Sequence, residues 1–229
     1  RIYRIENPLA DWHSWRQADT ASVSKVYFES GIDFLFPRYH DISTIQTGIF
    51  NPNGYRFVEF PVFNALHAFL AENFNYFSFD VCGRLVSVLS SLISGLSVFY
   101  LGKRFIGKWA GVLASFFFLF IPFNIYFSRV ILPEPLAVCL GLLSLLTFVS
   151  FIDSGKNWKL YLSGIILSLA VLVKPFVLFY SLPMLYLIID KYGLKNILRK
   201  AGLLVKFVVF AILVLFPFFL WRSWINNFP

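Results

Sequence analysis

Apolar and polar residues are distributed unevenly along the chain. Residues 1–79 mix the two kinds, whereas long apolar runs separated by short basic connections fill residues 80–229. A span needs about 20 predominantly apolar residues to cross a bilayer. We therefore predict a first region with interfacial helices over 1–79 and a transmembrane helix bundle over 80–229. The single spans are expected at 85–101, 109–127, 136–152 and 203–221.

The apolar run 160–189 is too long for one ordinary span, because a helix rises only about 1.5 Å per residue. Lys174 and Pro175 lie near its middle. Proline breaks a helix, and a lysine in the bilayer centre is costly. We therefore predict two short helices that meet at Lys174, which brings the total to about six spans.

The first region is expected to be a long loop that carries two helices lying at the membrane interface. Ser14 and Gln17 have the spacing of a capping box, which predicts a helix from Trp15. The segment 25–31 is predicted as a short amphipathic helix that Gly31 ends. Pro37, Asn51–Gly54 and Pro61 indicate turns between the helices.

Helical spacing returns over 62–74. Phe63, Leu66, Phe69 and Leu70 fall on one face of that predicted helix, which we expect to be its buried face.

Composition supports integral membrane location. Hydrophobic residues make up 58% of the sequence, charged residues only 14%, and the mean hydropathy is +0.71; soluble proteins carry about 25% charged residues. The first residue is arginine and the last residues follow directly on an apolar run, so we expect a fragment that lacks a first span and a C-terminal part. Cys82 and Cys139 both lie in apolar segments and are expected to be buried thiols.

The net charge of +8 belongs to one face of the predicted bundle. The connections after the first, third and fifth spans hold ten basic residues and two acids, and the other face is balanced. The positive-inside rule makes the basic face cytoplasmic. Residues 1–79, the loop 128–135 and Lys174 then lie together on the non-cytoplasmic side. The basic charge thus indicates topology and anionic lipid, not nucleic acid.

Residues 11–20 form a polar stretch beside the apolar bundle. Asp11 and Asp19 are candidate general bases at the membrane surface. The structural alternative for Asp19 is a helix residue paired with Arg16 three positions earlier. The alternative for Asp11 is a loop residue or a charge near a helix N-terminus.

Arg16 is a natural phosphate ligand because its planar fork donates two hydrogen bonds; its alternative is an ion pair with a nearby acid. His13 is a candidate for phosphate binding or proton relay, or a histidine that is merely hydrogen-bonded. Gln17 in the polar stretch, Tyr55 in the segment before Glu59 and Arg129 in the loop before Glu134 are further candidates for substrate binding.

Three more charged residues stand in apolar or proline-rich surroundings. Glu59 precedes Phe60 and Pro61 and could pair with Arg56 instead of serving a site. Glu134 lies between two prolines at a span entrance, where it could simply cap the following helix. Lys174 could extend to the interface as a snorkelling side chain or contact a donor phosphate.

The sequence contains no metal-ligand spacing, phosphate loop or dinucleotide fingerprint. No cofactor is therefore expected. The residues do not indicate a divalent metal, but they do not exclude one. A soluble nucleotide bound in the usual way is therefore not expected as the donor.

The order of motifs resembles the membrane glycosyltransferases of the GT-C class. The matching elements are, in order, the polar Asp/Arg/Gln stretch of residues 11–20, Glu-Ser-Gly-Ile-Asp-Phe-Leu-Phe-Pro-Arg, Val-Glu-Phe-Pro, Gly-Arg-Leu-Val-Ser-Val-Leu-Ser-Ser, Tyr-Phe-Ser-Arg-Val-Ile-Leu-Pro-Glu-Pro-Leu-Ala and Leu-Val-Lys-Pro. The nearest groups are dolichyl-phosphate-mannose protein mannosyltransferases and bacterial aminoarabinose transferases of lipid A.

The resemblance implies a GT-C-like bundle in a bacterial or archaeal inner membrane, with its site on the outer face. It also implies transfer of a sugar from a polyprenyl-phosphate donor to a lipid, glycan or protein hydroxyl, with inversion. An acid of the first outer loop acts as base in such enzymes, usually in an Asp-Glu pair. This chain has no such pair, and the expected position falls between Asp11 and Asp19. Glu59, Glu134 and Lys174 match the Glu-x-Pro element, the second-loop acid and the lysine before a span.

Two other classes of protein remain open from the sequence. A polytopic lipid or sugar carrier, such as a flippase, also uses broken helices, but it is expected to place charges within its spans. Here charge collects at span ends, which favours an enzyme at the surface. A non-catalytic assembly subunit is the third possibility.

Overall fold

The computed structural model describes residues 2–3, 5–9, 12–44 and 48–228. Within these residues the chain is α-helical, with one isolated antiparallel bridge between Arg38 and Tyr55. The α-helices of the described ranges are α1 (Ser14–Ser30), α2 (Val62–Asn73), α3 (Phe79–Phe105), α4 (Lys108–Phe120), α5 (Pro122–Phe127), α6 (Glu134–Ser154), α7 (Asn157–Val173), α8 (Ser181–Tyr192), α9 (Leu194–Arg199) and α10 (Ala201–Ile225). A 3₁₀ helix over Pro175–Tyr180 connects α7 to α8.

Three of these helices are long and apolar enough to cross a membrane: α3, α6 and α10. The apolar helices α4 and α7 are shorter. The predicted fold class, an all-α polytopic membrane protein, is therefore confirmed. The total of about six spans, and the division of the chain at residue 79, stay predictions.

The break at Lys174 occurs as predicted. Lys174 has the extended conformation with φ −149° and ψ 116°, and Pro175 begins the 3₁₀ helix. The prediction of one uninterrupted helix over 109–127 was wrong. Ile121 leaves the helical region at ψ 130° and separates α4 from α5, because the residue before a proline is pushed toward extended backbone by the Pro122 ring.

Small residues let the spans approach closely, as is usual where lipid surrounds the helices. Gly111 on α4 lies so near α3 that a Cβ there would come within 2.5 Å of the Phe99 carbonyl oxygen. Ser144 on α6 donates to the Ser163 carbonyl of α7 at 2.8 Å. Helix α6 thereby packs between α3 and α7, and α10 packs on α7 while leaving most of its apolar surface exposed for lipid.

The first region differs from the prediction at its first helix. Residues 14–30 form one continuous helix, so the segment 25–31 is its last part, and Gly31 ends it as expected at φ 90°. The predicted capping box was wrong, because His13 rather than Ser14 holds the N-cap position of α1 and its side chain makes no capping hydrogen bond. Gln17 is fully buried and donates to the Trp12 carbonyl while accepting from the Ile131 N–H.

The buried face of α2 was also predicted wrongly. Phe63 is buried, but Leu66 and Phe69 are 40% and 53% exposed, and the side of α2 turned toward α1 and α3 carries Asn64 and His67. Helical periodicity marks an apolar face without saying whether protein or lipid covers it. The exposed apolar side suits a helix lying at the interface.

Aromatic side chains hold the loop before α2 against the end of α10. Trp224 donates to the Leu35 carbonyl at 3.1 Å, and Phe60 meets Trp221 edge-on with ring centroids 5.0 Å apart. Both cysteines are buried and free, as predicted.

Candidate functional site

Four charged side chains from distant parts of the sequence meet at one end of the bundle. Arg16 Nη2 lies 2.8 Å from Glu134 Oε1, and Lys174 Nζ lies 3.2 Å from the same oxygen. Lys174 Nζ is also 3.6 Å from Glu59 Oε1. We name Arg16, Glu59, Glu134 and Lys174 the charge cluster; it unites four of the sequence-predicted site residues.

Local backbone geometry explains how the cluster is assembled. Lys174 is the residue at which α7 ends, and its N–H still bonds to the Ala170 carbonyl at 2.9 Å. The Phe60 N–H donates to the Leu172 carbonyl at 3.2 Å, which ties the loop to the end of α7 and sets Glu59 beside Lys174. Glu134 is the first residue of α6 after Pro133, so its side chain also starts at a helix end.

Glu134 does not serve as the cap that the sequence left open. Pro133 holds the N-cap position of α6, and no side chain caps that helix. The Glu134 carboxylate instead contacts two cations, Arg16 and Lys174. The carboxylate at the start of α6 is therefore held by ion pairs with side chains from α1 and from the end of α7.

The cluster is largely shielded from solvent. The side chains of Lys174 and Glu59 are 16% and 15% exposed, and those of Arg16 and Glu134 are 36% and 31% exposed. Burial raises the pKa of Glu59 above its ordinary value, against the opposing effect of the Lys174 ammonium. Glu59 Oε2 and Glu134 Oε2 are buried and lack a hydrogen-bond partner among the described residues.

Asp19 forms a different ion pair from the one considered for it in the sequence. Its Oδ2 lies 3.0 Å from Arg56 Nη2, and the side chains are 14% and 17% exposed. Arg56 thus forms an ion pair with Asp19, and Arg16 forms one with Glu134. The sequence missed Arg56 as a site residue, although its place three residues before Glu59 could have suggested it.

Backbone pairing between residues 37–39 and 54–56 presents Arg56 to α1. The Arg56 N–H donates to the Pro37 carbonyl and the Tyr39 N–H to the Gly54 carbonyl, both at 2.8 Å, on either side of the Arg38–Tyr55 bridge. The guanidinium also lies over the Tyr39 ring, 4.9 Å from its centroid. This backbone pairing therefore fixes the position of the Asp19–Arg56 pair.

An apolar groove of about 370 Å³ opens beside the charge cluster. It runs between α3, α4, α5 and α6, and most of its walls are apolar or small side chains. Arg16 and Glu134 supply charge at its edge, and His13 also lines it. The other lining residues are Ser91, Ser94, Phe118, Phe123, Asn124, Phe127, Ser128, Leu132, Pro135, Val138 and Phe176.

A second, much smaller cavity of about 40 Å³ lies on the loop side of Arg16. Its polar walls come from Arg16, Thr20, Arg56, Glu59 and Asn64. Arg16 therefore lines both spaces. An apolar chain in the groove and a polar group in the small cavity would approach the same guanidinium from two directions.

The remaining predicted site residues fall outside the charge cluster. His13 stacks on Trp12 with ring centroids 5.1 Å apart and has a left-handed backbone at φ 58°. Tyr55 packs against Phe57 and belongs to the aromatic contacts of the loop. Arg129 donates to the Tyr3 carbonyl at 2.6 Å. Asp11 lies outside the described residues.

Within the described ranges, no group of three or more histidine, cysteine, aspartate or glutamate side chains is arranged to hold a metal ion. Carboxylates and cations alternate in the charge cluster instead. Such an arrangement can bind an anionic group at Arg16 and Lys174 while keeping a carboxylate nearby for proton transfer.

Comparison with known proteins identifies one related family. Residues 61–221, most of the chain, match the family model described as dolichyl-phosphate-mannose-protein mannosyltransferase. No curated protein and no solved structure matches the chain. The matched range includes α2, Glu134 and Lys174 and leaves Arg16 and Glu59 before it.

Proposed function

This chain belongs to the dolichyl-phosphate-mannose-protein mannosyltransferase family, and on that premise we propose that it transfers a sugar from a polyprenyl-phosphate donor to an acceptor hydroxyl. The acceptor is a lipid, a glycan or a protein. The observation that carries this proposal is the apolar groove with Arg16 at its edge and Lys174 bridged to the same Glu134 oxygen.

The groove suits the prenyl part of the donor. Phenylalanine and aliphatic side chains make up half of its lining, and it lies between helices of the bundle where a membrane lipid can enter. Burial of each CH₂ contributes about 0.8 kcal/mol, so several buried isoprene units supply substantial affinity. The phosphate of such a lipid is then held at the polar edge of the groove.

Arg16 and Lys174 are the groups that we assign to the donor phosphate. A guanidinium has five N–H donors, so Arg16 can bind a phosphate oxygen while keeping one bond to Glu134. Lys174 is a compact charge held at a stiff helix end by the following proline. Both cations would stabilise the negative charge that develops on the phosphate as the sugar leaves.

The site is proposed to face the non-cytoplasmic side of a bacterial or archaeal inner membrane. Helix α6 begins at Glu134 and α7 ends at Lys174, whereas their other ends meet the basic segment near Lys156. At that opposite end Arg104 donates to both oxygens of Asp153. The positive-inside rule places the basic end in the cytoplasm and the charge cluster outside.

The transfer is expected to invert the anomeric carbon, because one acceptor oxygen displaces the phosphate directly. The required base is a carboxylate on the acceptor side of the sugar. By position in the sequence alone, the family resemblance favours Asp19 or Asp11 for this role.

The full-length protein in liposomes tests the proposal. We expect it to release polyprenyl phosphate from at least one labelled donor among undecaprenyl-phosphate mannose, glucose and aminoarabinose when membranes of the source cell supply the acceptor. A carrier would instead move the intact donor between leaflets without releasing its phosphate. Movement without release would overturn the proposal, as would neither movement nor release.

A further inference from the structure

We infer that Glu59, rather than Asp19, takes the proton from the acceptor hydroxyl. The inference rests on the proposed glycosyl transfer and assigns its base. It starts from a difference between the two carboxylates: Glu59 Oε2 is buried without a hydrogen-bond partner among the described residues, whereas Asp19 Oδ2 is held by Arg56 at 3.0 Å.

A buried carboxylate oxygen without a partner calls for an explanation, because buried polar atoms are nearly always hydrogen-bonded. Glu59 keeps its oxygen in this state although Lys174 lies 3.6 Å from its other oxygen. An acceptor hydroxyl that donated to Glu59 Oε2 would satisfy it. The same hydrogen bond is the starting geometry for proton transfer.

The position of Glu59 agrees with that role. Glu59 lines the small polar cavity together with Arg16 and Thr20, and the lining of this cavity does not include Asp19. A space of about 40 Å³ holds only a small polar group such as a hydroxymethyl. An acceptor hydroxyl there would lie between Glu59 and the Arg16 guanidinium, across from the groove assigned to the donor.

Glu134 is the other member of the cluster with an unpartnered oxygen, but its surroundings suit it less as a base. Its Oε1 contacts two cations, Arg16 at 2.8 Å and Lys174 at 3.2 Å, which stabilise the ionised form. Glu134 also lines the apolar groove rather than the small cavity. The ion pair of Glu59 with Lys174 is longer, at 3.6 Å, and burial raises the pKa of Glu59, which makes it the stronger base.

The step balances with groups already named. The Glu59 carboxylate accepts the hydroxyl proton, and the acceptor oxygen forms a bond to the anomeric carbon. The bond from that carbon to the phosphate oxygen breaks, and its electron pair stays on the phosphate. The products are the glycosylated acceptor, the polyprenyl phosphate with one more negative charge, and a protonated Glu59. Arg16 and Lys174 lie where that additional charge develops.

Two experiments on the full-length protein test whether Glu59 is the base: substitution of Glu59, and replacement of the acceptor by a nucleophile that carries no proton. Glu59→Gln should lower transfer from the active donor about 100- to 10,000-fold, as loss of a general base typically does. Its binding of undecaprenyl phosphate should change less than about threefold, which shows that the variant is folded. Glu29→Gln, on the exposed side of α1 beside Lys25, is the matched control and should transfer normally.

Sodium azide separates a base from a residue with a structural role. Azide is an anion and needs no deprotonation to attack the anomeric carbon. With Glu59→Gln we expect glycosyl azide to form at least ten times faster than this variant transfers the sugar to the normal acceptor. With Asp19→Asn we expect no such increase over the rate of normal transfer. Asp19→Asn should reduce transfer by less than about tenfold through a loosened loop.

Each other outcome decides against the inference. Near-normal transfer by Glu59→Gln would overturn it while leaving the proposed function intact. The same holds if azide forms glycosyl azide with Asp19→Asn but not with Glu59→Gln. It also holds if azide forms glycosyl azide with neither variant. Loss of undecaprenyl phosphate binding in Glu59→Gln would show that Glu59 supports the fold or the donor site instead. A wild-type protein that releases no polyprenyl phosphate from any donor would remove the proposed function, and the inference with it.

Discussion

Arg16 on α1 and Glu134 at the start of α6 lie 2.8 Å apart, although 118 positions separate them in the sequence. Both side chains are about one-third exposed, and pairs of that kind contribute only about 0–1 kcal/mol to stability. The pair therefore matters for position rather than for stability. It joins the first region to the bundle and sets a cation at the edge of the apolar groove.

Lys174→Met should weaken binding of undecaprenyl phosphate about 10- to 100-fold and slow transfer, with normal expression. The ammonium is proposed to contact the phosphate, and the loss of one charge-assisted hydrogen bond costs about 1.5–3 kcal/mol. Lys159→Met is the matched control, because Lys159 lies near the opposite end of α7 and bonds to Ser150. Unchanged binding in Lys174→Met would mean that this lysine pairs with Glu59 and Glu134 without contacting the donor phosphate.

The rate of transfer should fall in acid because Glu59 must be ionised to accept a proton. Burial raises the pKa of Glu59 above 4.5. The activity is therefore present above that raised pKa and is lost as the pH falls through it. A pH profile of kcat at saturating donor measures this acidic fall in rate, whose midpoint should lie above pH 4.5. The residual activity of Glu59→Gln should not show this acidic fall.

Stability should also fall in mild acid, through His67. Burial lowers the pKa of His67 to about 4 from an ordinary 6.5, although its hydrogen bond to the Phe79 carbonyl opposes the shift. The unfolded chain binds the proton first, so stability is complete above about pH 6.5 and declines as the pH falls toward 4. Linkage gives a loss of about 2 kcal/mol between pH 7.5 and pH 5.

Thermal unfolding in detergent at those two pH values checks the His67 prediction. His67→Gln keeps a donor for the Phe79 carbonyl but does not titrate in this range, so its pH-dependent loss should be smaller by about that amount. An equal loss in the variant would assign the dependence to other groups.

Topology can be tested by labelling single cysteines in a protein freed of Cys82 and Cys139. A cysteine at position 156 should resist a membrane-impermeant reagent added from outside, and one at position 76 should react. Tyr76 is 94% exposed, so its side of the membrane, rather than burial, decides the result. Outside labelling at 156 would reverse the proposed orientation.

Much of the bundle could be predicted from the sequence because its causes are local. The length of the apolar runs predicted α3, α6 and α10, and a lysine followed by proline predicted the break after α7. The α4–α5 break was missed although Pro122 was visible, since an apolar run does not reveal whether a proline ends a helix or only bends it. The face of α2 was missed because lipid and protein cover apolar side chains alike.

The sequence by itself determined the membrane class, the family and the residues able to carry charge chemistry: Arg16, Asp19, Glu59, Glu134 and Lys174. Only the tertiary structure decided how they pair. Ion pairs between distant segments depend on which helix ends meet, and spacing along the chain carries no such information. In the structure Asp19 forms an ion pair with Arg56, and Arg16 forms one with Glu134. Glu59 lies beside Lys174, and one of its carboxylate oxygens has no hydrogen-bond partner among the described residues.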